Sequence, residues 1–198
     1  YFLSYLFRST NAVIAPHLVD EFNTNAQQLG ILTSSYLFAF AVFQIPLGIL
    51  LDKYGARKVQ IFLMIFAGLG SLMFCYGNSI LELTIARAII GLGVAGCLMS
   101  TFKIITVWYN KNNWPILYGL CLSSGGLGAI VATKPLYFIV DGIGWRLAFM
   151  ILAVLCFVIS FIIWAITPEK ESVKEEQNIL FALKEIYSSK LFWRIAPL

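Results

Sequence analysis

Six long apolar runs, joined by short polar connections, constrain this sequence more than any other feature. A helix that crosses a membrane needs about 20 mostly apolar residues, and each run is close to that length or longer. The runs cover Tyr1–Val19, Leu29–Leu51, Val59–Tyr76, Ile80–Val107, Leu117–Ile139 and Leu147–Ile166. The sequence therefore predicts an all-α membrane protein with six transmembrane helices, numbered here as spans one to six.

The composition excludes the soluble classes of protein. Hydrophobic residues make up 60% of the 198 residues and charged residues 12%, against roughly 45–50% and about 25% in a soluble domain. A soluble chain of this size has too much surface for its volume to bury so much apolar area. This excludes a cytosolic enzyme and a disordered chain. It also excludes a nucleic-acid partner, because the net charge of +4 is spread along membrane edges and forms no basic patch.

The reactive side chains give no support for catalysis, a metal site or a bound cofactor. His17 is the only histidine, no carboxylate pair lies inside a span, and no G-x-S-x-G motif is present. The four cysteines lie inside apolar runs without C-x-x-C spacing, which is typical of small apolar fillers. We therefore expect no enzymatic activity, no metal site and no cofactor. The cysteines are Cys75, Cys97, Cys121 and Cys156.

The distribution of lysine and arginine predicts the orientation. With the N-terminus in the cytoplasm, the inside segments carry most of the cations and the outside loops carry mainly acids, as the positive-inside rule requires. We therefore expect a multi-pass protein of the plasma membrane with a cytoplasmic N-terminus. The inside cations are Lys53, Arg57, Lys58, Lys111, Lys170 and Lys174, and the outside loops hold Asp20, Glu21, Glu82 and Arg146.

The pattern changes after the sixth apolar run. Residues 1–167 are predicted to form the six-helix bundle, and residues 168–190 a cytoplasmic linker that contains a short amphipathic helix. Residues 191–198 turn apolar again, which predicts the start of a seventh span. We therefore expect this chain to be the N-terminal half of a longer protein.

A polar stripe runs along span one. Ser4, Arg8 and Asn11 fall at helical spacing, so they share one face of the helix. An ionisable group near the bilayer centre costs at least a few kcal/mol and is a functional candidate by default. Arg8 either contacts a substrate or pairs with a carboxylate elsewhere in the bundle, and we favour substrate contact. Asn11 would then orient the same substrate.

Two lysines also lie inside apolar runs. Lys103 lies in the half of span four predicted to be cytoplasmic, and Lys134 lies in the outer half of span five. Either side chain could extend to the nearer interface. For Lys103 we weigh two interpretations equally, a second substrate contact and extension to the interface. For Lys134 we favour extension to the interface. Spans three and six have no interior charge, so some helices face lipid while others line a polar path for transport.

The charges inside the spans are all positive. Arg8, Lys103 and Lys134 have no acidic counterpart well inside any span. A guanidinium holds a carboxylate or phosphate through two parallel hydrogen bonds, so the pattern favours an anionic or carboxylate-bearing solute. This half of the protein also offers no obvious carboxylate to carry a coupling proton.

Two motifs resemble signatures of the major facilitator superfamily. The segment Gly48-Ile-Leu-Leu-Asp52-Lys53-Tyr-Gly55-Ala-Arg57-Lys58 resembles the G-x-x-x-D-R/K-x-G-R-R signature between helices two and three of that family. In span four, Arg87-x-x-x-Gly91-x-Gly93 resembles a second motif. The resemblance covers essentially the whole chain.

The resemblance implies the N-terminal six-helix half of a twelve-helix transporter, with a C-terminal half as its partner. It implies secondary active transport of a small solute by alternating access in a bacterial inner membrane. The segment Tyr5-Leu-Phe-Arg8 is similar to the first helix of organophosphate and organic-anion members, in which the equivalent arginine contacts the substrate. The candidate solutes are organic anions, organophosphates and amino acids, and the sequence does not decide between them. A six-helix channel subunit or a non-transporting membrane scaffold is the alternative.

The first motif implies a gate at the cytoplasmic side. Asp52 would accept hydrogen bonds from backbone amides at a helix N-terminus in the other half, and Lys53 or Arg57 would hold it in place. The alternative is a solvated turn that obeys the positive-inside rule. Arg87 and Gly91 are predicted to pack helices or to couple their movement. The predicted gate residues are Gly48, Asp52, Lys53, Gly55, Arg57 and Lys58.

Overall fold

The computed structural model describes residues 1–167, and the predicted linker and seventh span lie outside these residues. The described part is an α-helical bundle without strands. The helices are α1 (Phe2–Phe22), α2 (Ala26–Tyr54), α3 (Ala56–Tyr76), α4 (Ile80–Val94), α5 (Cys97–Trp108), α6 (Trp114–Val131), α7 (Lys134–Ile143) and α8 (Trp145–Ile166). A single 3-10 turn, Lys111–Asn113, precedes α6.

Two of the six predicted spans each consist of two helices. Span four divides into α4 and α5 at Ala95 and Gly96, and span five divides into α6 and α7 at Ala132 and Thr133. Within residues 1–167, five helical segments are long and apolar enough to cross a membrane: 26–54, 56–76, 80–108, 111–131 and 145–166. α1 is not among them because its polar stripe lowers its hydropathy.

The break in span four is held by a side chain of α2. The amide nitrogen of Gln44 donates a hydrogen bond to the carbonyl oxygen of Ala95 at 3.2 Å. A break in a helix leaves backbone carbonyls without intrahelical partners, and in a membrane these must be satisfied internally. Gln44 supplies one such partner, so the break is a built feature of the bundle.

The helices approach closely at two glycines of α4. A Cβ atom at Gly91 would lie 2.3 Å from the carbonyl oxygen of Tyr36 in α2, and one at Gly93 would lie 2.4 Å from the backbone nitrogen of Ala67 in α3. Only glycine allows α4 to pack this tightly against both neighbours, as is common between membrane helices. The close approach of α4 to α2 also brings the preceding turn of α4, which carries Arg87, towards α1.

An apolar core fills the space between α1, α3, α4 and α8. Phe7, Phe74 and Phe149 are fully buried there, and the rings of Phe74 and Phe149 stack with their centroids 4.1 Å apart. α3 and α8 also keep exposed apolar faces, which include Phe62, Leu69, Phe161 and Trp164. These exposed faces suit contact with lipid, but more than half of the apolar stretch of α3 is buried inside the bundle.

A cluster at the predicted outer side joins the ends of α1, α3 and α8. Arg146 forms an ion pair with Glu21, donates to the carbonyl oxygen of Gly77 at 3.0 Å, and lies 4.3 Å from a ring centroid of Trp145. Glu21 lies beyond the first apolar run. Burial raises the pKa of its carboxyl group, but hydrogen bonds from Arg146 and Trp145 outweigh this and hold the pKa below its usual value.

Candidate functional site

A cavity of about 280 Å³ opens between α1, α2 and α4. The predicted binding residues Arg8 and Asn11 both line it, as the shared helix face required. Arg87, for which a packing or coupling role was predicted, lines the same cavity. The complete lining is Arg8, Asn11, Thr33, Tyr36, Leu37 and Arg87.

Arg8 is the accessible cation of this cavity. Its side chain is exposed, and its guanidinium carbon lies 5.3 Å from the ring centroids of both Tyr5 and Phe40. Cation–π contacts of this kind hold a guanidinium in position without removing its charge. Within residues 1–167 no carboxylate forms an ion pair with Arg8. The group is therefore positioned by aromatic rings and keeps its hydrogen-bond donors for another partner.

Arg87 is the buried cation of the cavity, with only 1% of its surface exposed. Its Nη1 donates to the carbonyl oxygen of Phe7 at 3.0 Å, and its Nη2 donates to Oδ1 of Asn11 at 2.9 Å. Its guanidinium carbon also lies 5.5–5.8 Å from three ring centroids. The rings belong to Tyr36, Phe74 and Phe149.

The electrostatic character of the cavity is positive. Two guanidinium groups line it, and no carboxylate of residues 1–167 does so. A buried charge that lacks an opposite charge is costly, so the site gains most from a ligand that brings negative charge. An anion that reaches Arg8 also lies in the field of Arg87. The lining therefore favours an anionic group over a cationic one.

Lys103 lies away from this cavity. Its Nζ forms an ion pair with Oδ1 of Asp52, which joins α5 to the end of α2. The side chain of Lys103 is 24% exposed and that of Asp52 is 80% exposed. The structure therefore brings this predicted binding residue to the predicted gate, and it does not bring it to Arg8 and Asn11.

The predicted gate residues lie at and near the point where α2 turns directly into α3. Gly55 forms the turn with φ +81°, a conformation that favours glycine. Arg57 donates from Nη2 to the carbonyl oxygen of Trp164 at 2.5 Å, which ties the turn to the end of α8. Lys53 lies over the ring of Tyr54, with Nζ 5.2 Å from the centroid.

Two further gate residues lie beside this turn. Lys58 is exposed in the first turns of α3. A Cβ atom at Gly48 would meet nothing within 4 Å. Among residues 1–167, the α2 surface at Gly48 is therefore open at its Cβ position.

Sequence reasoning missed the contribution of α2 to the cavity. Thr33, Tyr36 and Leu37 line it, and Phe40 holds Arg8. These four positions follow the i, i+3, i+4, i+7 spacing of one helix face. The same search for a polar stripe that found Arg8 and Asn11 would have found Thr33 and Tyr36 on span two.

Comparison with known proteins decides the family. A family model described as the Major Facilitator Superfamily matches residues 1–198. The chain belongs to the Major Facilitator Superfamily. It is therefore a multi-pass membrane protein, and the predicted fold class, half of a twelve-helix major facilitator fold, is confirmed.

Several relatives carry names that refer to anionic solutes. The chain is 30% identical over 152 residues to the "Probable sulfoacetate transporter SauU" of Cupriavidus necator, covering 77% of this chain and 35% of that protein. It is 25% identical over 217 residues to the "Hexuronate transporter" of Escherichia coli (strain K12), covering 98% and 49%. The chain thus spans between about a third and a half of the length of these relatives.

Solved structures share the fold. The chain superposes on an inward-facing, unoccupied bacterial homolog of the human lysosomal transporter Spinster with a TM-score of 0.72 and 21% identity. The match covers 98% of this chain and 48% of that structure. The likeness supports half of a major facilitator fold.

Proposed function

We propose that the full-length protein is a secondary active transporter of small organic anions, such as sugar acids or sulfonated carboxylates. The observation that carries the proposal is a cavity lined by Arg8 and Arg87, with no carboxylate of the described residues beside them. The names of the sulfoacetate and hexuronate relatives point to the same class of solute. The C-terminal half would complete the site.

Arg8 would make the principal contact with the solute. Its exposed guanidinium can hold a carboxylate or sulfonate through two hydrogen bonds. The rings of Tyr5 and Phe40 limit its movement, so less side-chain entropy is lost on binding. Asn11 offers a polar contact one helical turn further along the same face.

The turn between α2 and α3 would close the cytoplasmic side. Asp52 would accept hydrogen bonds from the N-terminus of a helix in the other half when the outer side is open. In the described half it pairs with Lys103, so Lys103 belongs to the gate in this proposal. The predicted cytoplasmic N-terminus and inner-membrane location fit this arrangement.

Transport by the full-length protein in proteoliposomes tests the proposal. Sulfoacetate, D-glucuronate and D-galactonate would be compared with uncharged D-glucose as solutes. We expect uptake of at least one anion and none of glucose, with a loss of about a hundredfold in Arg8→Ala, because a hydrogen bond to a charged group contributes roughly 1.5–3 kcal/mol. Arg8→Lys should lie between the parent and Arg8→Ala, since it keeps the charge but loses the two-pronged contact.

The control for this test is Lys111→Ala, which removes an exposed cation from the turn before α6. It should transport like the parent. If both Arg8 variants also transport like the parent, the assignment of Arg8 is wrong. Uptake of glucose in place of the three anions would contradict the solute class.

A further inference from the structure

The side-chain amide of Asn11 lies between the buried cation of α4 and a hydroxyl group of α2. Its Oδ1 accepts from Nη2 of Arg87 at 2.9 Å, and its Nδ2 donates to Oγ1 of Thr33. Oγ1 of Thr33 donates in turn to the carbonyl oxygen of Leu29 at 2.8 Å. The hydrogen bonds therefore run in one direction, from the guanidinium through the amide to the backbone of α2.

Only Arg87 can fix the orientation of this amide. A guanidinium has donors and no acceptor, so the atom of Asn11 that meets it must be the oxygen. A hydroxyl group such as that of Thr33 can donate or accept, and by itself it would allow either orientation. When Oδ1 faces Arg87, Nδ2 carries two amide hydrogens. Thr33 accepts one of them, and Asn11 offers the other to the cavity.

Arg87 itself is poorly placed to touch a solute. Only 1% of its surface is exposed, and both of its terminal nitrogens already donate to groups of α1. Arg8, in contrast, is exposed at the same cavity. The local influence of Arg87 on a solute therefore passes through Asn11, which is itself 8% exposed.

We propose that Arg87 is a positioning residue that turns Asn11 into a hydrogen-bond donor beside Arg8, and that this pair selects anions with a second acceptor oxygen close to the charged group. The inference rests on the proposed function and specifies its solute. Residues three apart on a helix have Cβ atoms about 5–6 Å apart. Arg8 and Asn11 also line one cavity of about 280 Å³, so we expect the second oxygen on a carbon near the anionic group, as the hydroxyl group of a 2-hydroxy acid is.

Equilibrium binding to the full-length protein tests this pairing with two probes, D-galactonate and its 2-deoxy analogue. The parent should bind D-galactonate about three- to tenfold more tightly, because one hydrogen bond of ordinary strength separates the two probes. Asn11→Leu should bring this ratio close to one, because it removes the donor that distinguishes the two probes.

Variants of Arg87 separate positioning from direct contact. Arg87→Met frees the amide of Asn11, so the ratio should fall towards one. Arg87→Lys should keep part of the parental ratio of the two affinities, because an ammonium group also donates to Oδ1. Thr84→Val removes another polar group from the same helix, one whose hydroxyl donates to the carbonyl oxygen of Ile80, and it should keep the parental ratio.

Different results overturn different claims. An unchanged ratio in Asn11→Leu overturns the inference even if the Arg87 variants do not fold. Equal weakening of both probes in Arg87→Met, with the parental ratio kept, shows that Arg87 does not act through Asn11. If the parent binds both probes equally but loses them with Arg8→Ala, only the inference fails. If the folded parent binds neither these two probes nor sulfoacetate nor D-glucuronate, the proposed function fails as well.

Discussion

At the scale of single residues, Arg87 shows how the bundle accommodates a charge that has no carboxylate partner among residues 1–167. Two oxygen atoms accept its hydrogen bonds and three aromatic rings surround it. Hydrogen bonds to charged groups contribute roughly 1.5–3 kcal/mol, and each desolvated cation–π contact contributes up to about 2 kcal/mol. This environment depends on α4 lying close to α1 and α2, which Gly91 permits.

The contact at Gly91 leads to a prediction for stability. Gly91→Ala places a Cβ atom 2.3 Å from the carbonyl oxygen of Tyr36, and the backbone cannot move away without separating α4 from α2. We expect a loss of about 1–3 kcal/mol, as for other overpacked cores, measured as a lower thermal midpoint in detergent. Gly30→Ala in α2 is the control, because nothing lies within 4 Å of its Cβ position. Equal midpoints for the two variants would contradict the packing argument.

Single residues also show what the sequence can and cannot predict about the site. Arg8 and Asn11 could be assigned to one cavity because spacing along a helix fixes which face they share. The partner of Lys103 could not be found in this way, because Asp52 is 51 residues away and the contact depends on how two helices pack. Hydropathy does not encode that packing.

At the scale of helices, the six apolar runs correspond to helical segments of the structure, five of which are long and apolar enough to cross a membrane, but the breaks inside spans four and five were not predicted. The break in span five has a local signal, since Pro135 has no backbone N–H and favours a new helix start at Lys134. The break at Ala95 and Gly96 has a weaker signal. It is stabilised by Gln44, from a different helix.

The ends of α1, α3 and α8 lead to a pH prediction. Hydrogen bonds from Arg146 and Trp145 hold the pKa of Glu21 below its usual value, so its contribution to stability is present above the unfolded-state pKa. That contribution is lost as the pH falls through the lower folded-state pKa. Glu21→Gln should therefore lower the thermal midpoint at pH 7, and the difference from the parent should shrink below about pH 4.

The control for the pH experiment is Glu82→Gln, which changes an acid of α4 that Arg146 does not contact. Its thermal midpoint shows the effect of an acid-to-amide change that leaves the ion pair of Arg146 with Glu21 in place. A deficit of Glu21→Gln that stays constant from pH 7 to pH 3 would show that the ion pair with Arg146 is not its cause.

At the scale of the whole molecule, the described half contains the cavity lined by Arg8 and Arg87 and, near the turn between α2 and α3, the residues of the proposed gate. α4 and α5 connect the two regions, because Arg87 lies on α4 and Lys103 lies on α5. Family membership and the fold could be inferred from motifs and apolar runs. The separate placement of Arg8 and Lys103 required the structure, since both are cations inside apolar segments.

The gate leads to a prediction for turnover. Asp52→Asn removes the negative charge that pairs with Lys103 and that would meet the other half of the protein. We expect turnover in proteoliposomes to fall by about tenfold or more, because hydrogen bonds to a charged group are lost, and the dissociation constant for the solute to stay within about twofold. Asp141→Asn, which changes an exposed acid at the end of α7, is the control. Parental turnover in Asp52→Asn would remove the assigned role.

The guanidinium of Arg8, which pairs with no carboxylate of residues 1–167, also affects how the proposed transporter reorients when no solute is bound. If the two halves close around an empty cavity, this cation leaves water, and among residues 1–167 only the rings of Tyr5 and Phe40 lie against it in place of its hydration. A transporter with a bound anion avoids this desolvation penalty, because the anion supplies the negative charge that Arg8 lacks as a partner. In the proposed transporter, we therefore expect reorientation without a bound anion to be the slow step of the cycle, which favours exchange of one anion for another across the bilayer.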